Sequence, residues 1–100
     1  MIRGTTPTHT FNIPFEVGMI KECRVLYAQD DVVIVTKSTA DCILEGTTVK
    51  TTLSQQDTFK FDSNKCVQIQ LRILTTNDVA LASVVTHVGV AKCLDNEVML

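Results

Sequence analysis

From Val67 to Ile73 the chain alternates strictly: Val67, Ile69, Leu71 and Ile73 are aliphatic, and Gln68, Gln70 and Arg72 stand between them. Two residues is the side-chain period of an extended strand, so this segment is expected to be a strand with one dry face and one wet face. The same reading predicts strands over Thr8 to Ile13 with Phe11 and Ile13 inward, and over Ile20 to Ala28 with Cys23, Val25 and Tyr27 inward. The β-branched run Val32 to Thr36 is a fourth, because branching at Cβ suits a pleated surface.

Between these runs lie turn signals. Asp30-Asp31 and Asn77-Asp78 are expected to be hairpin turns, since Asn and Asp tolerate the left-handed backbone such turns need. Both flanking pairs of strands are then antiparallel neighbours. Glu45-Gly46 separates Cys42 to Leu44 from Val49 to Leu53 and predicts a third hairpin. The last long run, Val79 to Val90, is expected to be a strand with a bend near Gly89 or a bulge at Ser83.

One segment breaks the alternation. Ser54-Gln55-Gln56-Asp57 has the spacing of a capped helix start, with an acidic residue three positions after the cap, and predicts a single helical turn. Leu53, Phe59 and Phe61 are expected to plug one end of the core where this turn crosses between sheets. Seven short strands, with turn signals about 8 to 12 residues apart, predict an all-β fold. The expectation is a two-sheet antiparallel sandwich, immunoglobulin-like or jelly-roll, with one short helical turn. Its expected core is Phe11, Ile13, Val25, Tyr27, Val49, Leu53, Phe59, Ile69, Leu71, Ile73 and Val84. The chain has no Trp, which excludes a true immunoglobulin signature.

Composition narrows the partners. A chain of 100 residues with 45% apolar side chains is long enough for one core and too short for two, so residues 1–100 are read as a single domain. The net charge of −2 comes from nine basic and eleven acidic residues interspersed along the chain, which gives no electrostatic footprint for nucleic acid or an anionic membrane. Apolar runs of about five residues fall well below the roughly 18 needed to span a bilayer, and the opening residues form no apolar h-region. The expected location is the cytoplasm.

Candidate chemistry is sparse. Cys23, Cys42, Cys66 and Cys93 lack the paired spacing of a zinc site, so no metal is expected. Without a secretory signal they are read as reduced thiols serving as small hydrophobes, Cys23, Cys42 and Cys66 lying in or beside apolar strands. Outside a cell, two disulfides in any of three connectivities would be open to them. His9 and His87 are the two histidines, both expected on a sheet surface or half-buried, and no oxyanion-forming elbow surrounds any cysteine. Gly4, Gly18, Gly46 and Gly89 are isolated, so neither a phosphate loop nor a dinucleotide fingerprint exists. No enzyme and no cofactor is expected, and surface binding remains.

Two features serve binding. The wet face of the Val67 strand presents the stripe Gln68, Gln70 and Arg72, long side chains suited to hydrogen bonds across an interface or to water. Met1 to Thr8 is Thr-rich and broken by Gly4 and Pro7, and Leu94 to Leu100 mixes acidic and apolar residues; both are candidate arms. The candidate binding residues are therefore Arg3, Thr5, Thr6, Thr8, Gln68, Gln70 and Arg72.

Several stretches together carry a resemblance: Met1-Ile2-Arg3-Gly4-Thr5-Thr6-Pro7-Thr8-His9, Tyr27-Ala28-Gln29-Asp30, Leu53-Ser54-Gln55-Gln56-Asp57-Thr58-Phe59, Val67-Gln68-Ile69-Gln70-Leu71-Arg72 and Ala80-Leu81-Ala82-Ser83. They resemble small all-β proteins of tailed bacteriophages and prophages of Gram-positive bacteria, over most of the chain. More loosely, the layout resembles the N-terminal β-sandwich of phage baseplate upper proteins. The resemblance implies a virion structural protein, an adaptor, decoration or baseplate/head-fibre component, that binds other phage structural proteins and forms homo-oligomers. It would reside in the host cytoplasm during assembly and then in the virion. A phage-encoded inhibitor of a host defence protein is the alternative, with a similar composition.

Overall fold

The computed structural model describes residues 1–100 and is an all-β, two-sheet antiparallel sandwich. The strands are β1 (Thr8–Asn12), β2 (Ile20–Gln29), β3 (Val32–Lys37), β4 (Cys42–Glu45), β5 (Thr48–Thr52), β6 (Val67–Thr75), β7 (Ala80–Ala82) and β8 (Thr86–Val88). A small sheet has the order β1-β5-β4, and a large one runs β3-β2-β6 with β7 and β8 both pairing β6. One helical turn, α1 (Gln55–Phe59), carries the chain from β5 toward β6.

Alternation on β2 and β6 builds the core. Cys23, Val25 and Tyr27 face inward beside Ile73, Leu71 and Ile69, their direct partners in the β2–β6 register, and all six are buried. The small sheet contributes Val49, and Leu53 and Phe61 close the end beside α1. Each such side chain contributes about 1.5–3 kcal/mol by leaving water. Gln29 is one of five buried polar residues, and it is satisfied: its amide nitrogen donates to the carbonyls of Asp62 and Lys65, and its oxygen accepts from the Asp62 N–H. It thereby fastens the turn ahead of β6 to the end of β2.

The turns follow their residue chemistry. Asp30 and Asp31 have φ of 51° and 63°, the left-handed pair of a two-residue hairpin joining β2 to β3. Gly46 sits at φ 57° between β4 and β5, and Asp78 at φ 62° between β6 and β7. Ser54 and Asp57 cap α1 reciprocally: the Asp57 N–H donates to Ser54 Oγ at 3.0 Å, and the Ser54 N–H donates to Asp57 Oδ2 at 2.9 Å.

Three expectations are corrected. The run from Val79 to Val90 is two short strands, because one extra residue interrupts its pairing with β6: Arg72 faces Ala82, whereas Ile69 faces Thr86. Ser83 remains paired to Leu71 through its N–H and its hydroxyl, so Val84 and Val85 together stand opposite Gln70. Val84 thus lies on the face of Gln70, away from the core, and is 84% exposed. Phe59 is only half-buried, lying beneath Arg3 at the sandwich end, and Phe11 and Ile13 are likewise half-buried. Cys66 is exposed ahead of β6, whereas Cys23 is buried and Cys42 half-buried, as small hydrophobes would be.

Candidate binding edge

The first seven residues lie against the body. Ile2 bridges Ala91, the Arg3 N–H donates to the Ala91 carbonyl, and the Leu53 N–H donates to the Pro7 carbonyl. Arg3 stacks 5.5 Å above the Phe59 ring, donates to the Phe59 carbonyl at 2.9 Å and reaches Asn96 Oδ1 at 3.4 Å. Thr5 offers its carbonyl to the Thr58 hydroxyl, which in turn accepts from the Gly4 N–H. Thr6 is exposed, and the Thr8 hydroxyl meets that of Thr52 at 2.7 Å. At the other end of the chain, Leu94 and Leu100 are fully exposed, while Gln55 holds the Met99 backbone by two hydrogen bonds.

The stripe is divided by its partners. Gln68 clasps the β2–β3 hairpin, donating to Asp31 Oδ1 and accepting from the Asp31 N–H. Gln70 donates to the Ser83 carbonyl and braces the bulge. Arg72 is exposed and stands opposite Arg24, whose guanidinium pairs with Glu22 at 3.0 Å. The stripe and the N-terminal segment share no hydrogen-bond partner; the former meets the hairpin and the bulge, the latter α1 and the C-terminal segment.

The edges of the two sheets differ in how open they are to another strand. β3 is bulged at Ile34, since Tyr27 faces Val35 while Ala28 faces Val33. The β7–β8 edge is bulged at Val84 and Val85, and β4 is four residues long, preceded by Asp41 and ended by Glu45. Bulges, shortness and charge are the devices that stop strands adding to an edge. β1 has none of them: its Thr8-His9-Thr10-Phe11-Asn12 pairs with β5 in an unbroken register and is uncharged at neutral pH.

The bonding pattern fixes what that edge presents. Pro7 and Ile13 are bonded to Leu53 and Thr47, which places the odd-numbered residues of β1 in the hydrogen-bonded pairs with β5. The N–H and C=O groups of Thr8, Thr10 and Asn12 therefore point away from the sheet. Beside this edge the sandwich is open: a groove of about 550 Å³ runs between β1 with its Ile13-Pro14-Phe15 extension and the β6–β7 side of the large sheet. Phe11, Ile13, Phe15, Leu71, Ile73 and Leu81 supply its apolar lining, and no charged residue lines it. Phe15 and Leu81 were not among the expected core residues; the alternation Phe11, Ile13, Phe15 was the available signal, masked by Pro14 ending the strand.

Behind β1, His9 Nδ1 and the Tyr27 hydroxyl lie 2.8 Å apart, with Tyr27 fully buried. Burial lowers the His9 pKa, helped by the positive chain terminus, so the ring is neutral at neutral pH. Burial also raises the Tyr27 phenol above its ordinary range, with Cys42 and Asp57 adding to the shift. No helix is long and apolar enough to cross a membrane. The chain is thus an antiparallel β-sandwich with one open, uncharged edge. No family model, curated protein or solved structure matches it.

Proposed function

We propose that the protein is a virion structural component of a tailed bacteriophage that works by protein–protein binding, taking an uncharged β-strand of another phage structural protein onto β1. The open β1 edge beside the apolar groove carries this reading. Main-chain groups of Thr8, Thr10 and Asn12 supply affinity for any extended strand, and the groove selects one with apolar side chains at alternate positions. A charged strand would leave ions unpaired in a lining that holds none. Homo-oligomerisation and passage from host cytoplasm into the virion complete the reading, in keeping with the resemblance of the sequence to small phage proteins.

Thr10→Pro is the decisive substitution. At a position whose N–H points outward, proline removes no bond of the fold but denies a docking strand its donor and crowds its approach. The variant is expected to keep the β-type circular dichroism spectrum and a melting temperature close to that of the parent while disappearing from purified particles, as counted by mass spectrometry. Incorporation at normal copy number would refute the edge. If the unaltered protein is itself absent from particles and captures a host defence protein, the inhibitor alternative replaces the virion reading.

A further inference from the structure

Each sheet brings one cysteine to the core. Cys23 comes from β2 and is 1% exposed; Cys42 opens β4 and is half-buried against the core cluster. Thr39 brings them together. Its hydroxyl accepts from the Cys23 N–H at 2.9 Å and approaches the Cys23 carbonyl at 3.3 Å, stapling the tight turn Thr39–Asp41 onto β2. Ser38 and Asp41 cap that turn reciprocally, which fixes the next residue, Cys42. Thr51, the register partner of Cys42, is buried, and its hydroxyl reaches the Asp41 carbonyl at 3.4 Å; the Cys23 thiol is the near neighbour that, after burial, raises the Cys42 thiol's pKa. Cys66 is exposed ahead of β6, and Cys93 lies beyond β8.

We propose that Cys23 and Cys42 are a redox-convertible pair that closes a disulfide between the two sheets in an oxidising compartment. This selects one pairing from those that four cysteines allow, and it does not rest on the virion reading. The oxidant is a low-molecular-weight disulfide such as oxidised glutathione. Cys42 is the entry sulfur because it is the more exposed. Its thiolate attacks one sulfur of oxidised glutathione, and one glutathione leaves. Cys23 Sγ then attacks the Cys42 sulfur of the mixed disulfide and expels the second. The two protein thiols give up two electrons and two protons, and the glutathione disulfide becomes two thiols.

Reaction is slow at neutral pH. Burial and the neighbouring Cys23 push the Cys42 thiol up to about 11, so little thiolate is present and the attack accelerates as pH rises. The product ties β2 to β4 around the intervening β3 hairpin arm, restricts the unfolded chain and raises the melting temperature.

The test uses the full chain carrying Cys66→Ser and Cys93→Ser, incubated folded with oxidised glutathione from about pH 7 to about pH 9, alongside the unaltered protein. Thiol titration, intact mass and peptide mapping report the product, and thermal melting reports its effect. The expected result is loss of both thiols with loss of two hydrogen masses, a peptide linking Cys23 to Cys42 in both proteins, a rate increasing with pH, and a melting temperature several degrees higher. Two thiols persisting in the folded protein while the same chain oxidises in denaturant would overturn the proposal. So would a stable glutathione adduct on Cys42 that Cys23 does not resolve.

Discussion

Lys37 Nζ stands 2.7 Å from Asp57 Oδ2, so the last residue of β3 is joined to the helical turn that carries the chain from β5 toward β6. Both side chains are largely shielded from water. The same carboxylate oxygen accepts from the Ser54 N–H and closes the helix cap. Burial alone would raise the Asp57 pKa, but Lys37 and the two Ser54 donors outweigh it and hold the carboxyl below its ordinary value. Asp57→Asn would leave the Lys37 ammonium half-buried without its counter-ion. The expected loss is about 2 kcal/mol, between the worth of a surface pair and the cost of breaking a fully buried one. Urea unfolding should show a lower midpoint with an unchanged slope; an unmoved midpoint would mean the pair adds nothing.

Acid should act in two stages. His9 and Asp57 both have folded-state pKa values below their unfolded ones, so each contributes stability that is present above the unfolded pKa and lost as pH falls through the folded one. The His9 stage begins as pH drops below about 6.5, and the Asp57 stage as it drops below about 4. A protonated His9 donates from Nδ1 to the Tyr27 oxygen, and the phenol proton then loses its acceptor. Stability measured against pH should therefore decline first toward pH 5, and His9→Gln should flatten that upper stage while sparing the lower one.

Position 84 separates the bulge from the core. Val84→Lys should change stability by less than about 0.5 kcal/mol, as a surface substitution does, whereas Leu71→Ala should cost about 2–5 kcal/mol through the cavity it opens. Comparable losses from both would place Val84 in the core and remove the bulge.

Gly4 has φ 80°, and a Cβ built on it would meet Phe59 Cζ at 2.6 Å. Gly4→Ala is expected to cost about 1–3 kcal/mol from backbone strain, and to loosen the Arg3 stack on Phe59. Arg3→Ala leaves the glycine backbone unstrained, so a loss in Gly4→Ala greater than in Arg3→Ala is the signature of this close approach. Equal losses would assign the effect to the stack.

The sandwich was legible because β2 and β6 carry their buried residues in strict alternation, and their hairpins carry residues that accept positive φ. The helical turn was legible because Ser54 and Asp57 have capping side chains at capping spacing. Val84 was misread because period-two counting runs on through a bulge, whereas one extra residue reverses the facing of every residue after it. The candidate edge was illegible for a different reason. Whether a strand lies inside a sheet or at its border is decided by non-local pairing, and Thr8 to Asn12 reads alike in either place. Likewise, nothing local in Lys37 announces Asp57, twenty positions away and on another element.

The uneven protection of the sheet borders sets the valence of the molecule. With the large sheet kinked at both margins and the small one ending in a short β4 that has an acid before it and another as its last residue, lateral growth has a single point of entry at β1. A subunit that can extend its β-structure on one side only is a chain terminator. Two such subunits meeting edge to edge make a closed pair, and one meeting a foreign strand caps it. Neither can propagate into the ribbon that a doubly open sandwich of the same residues would form.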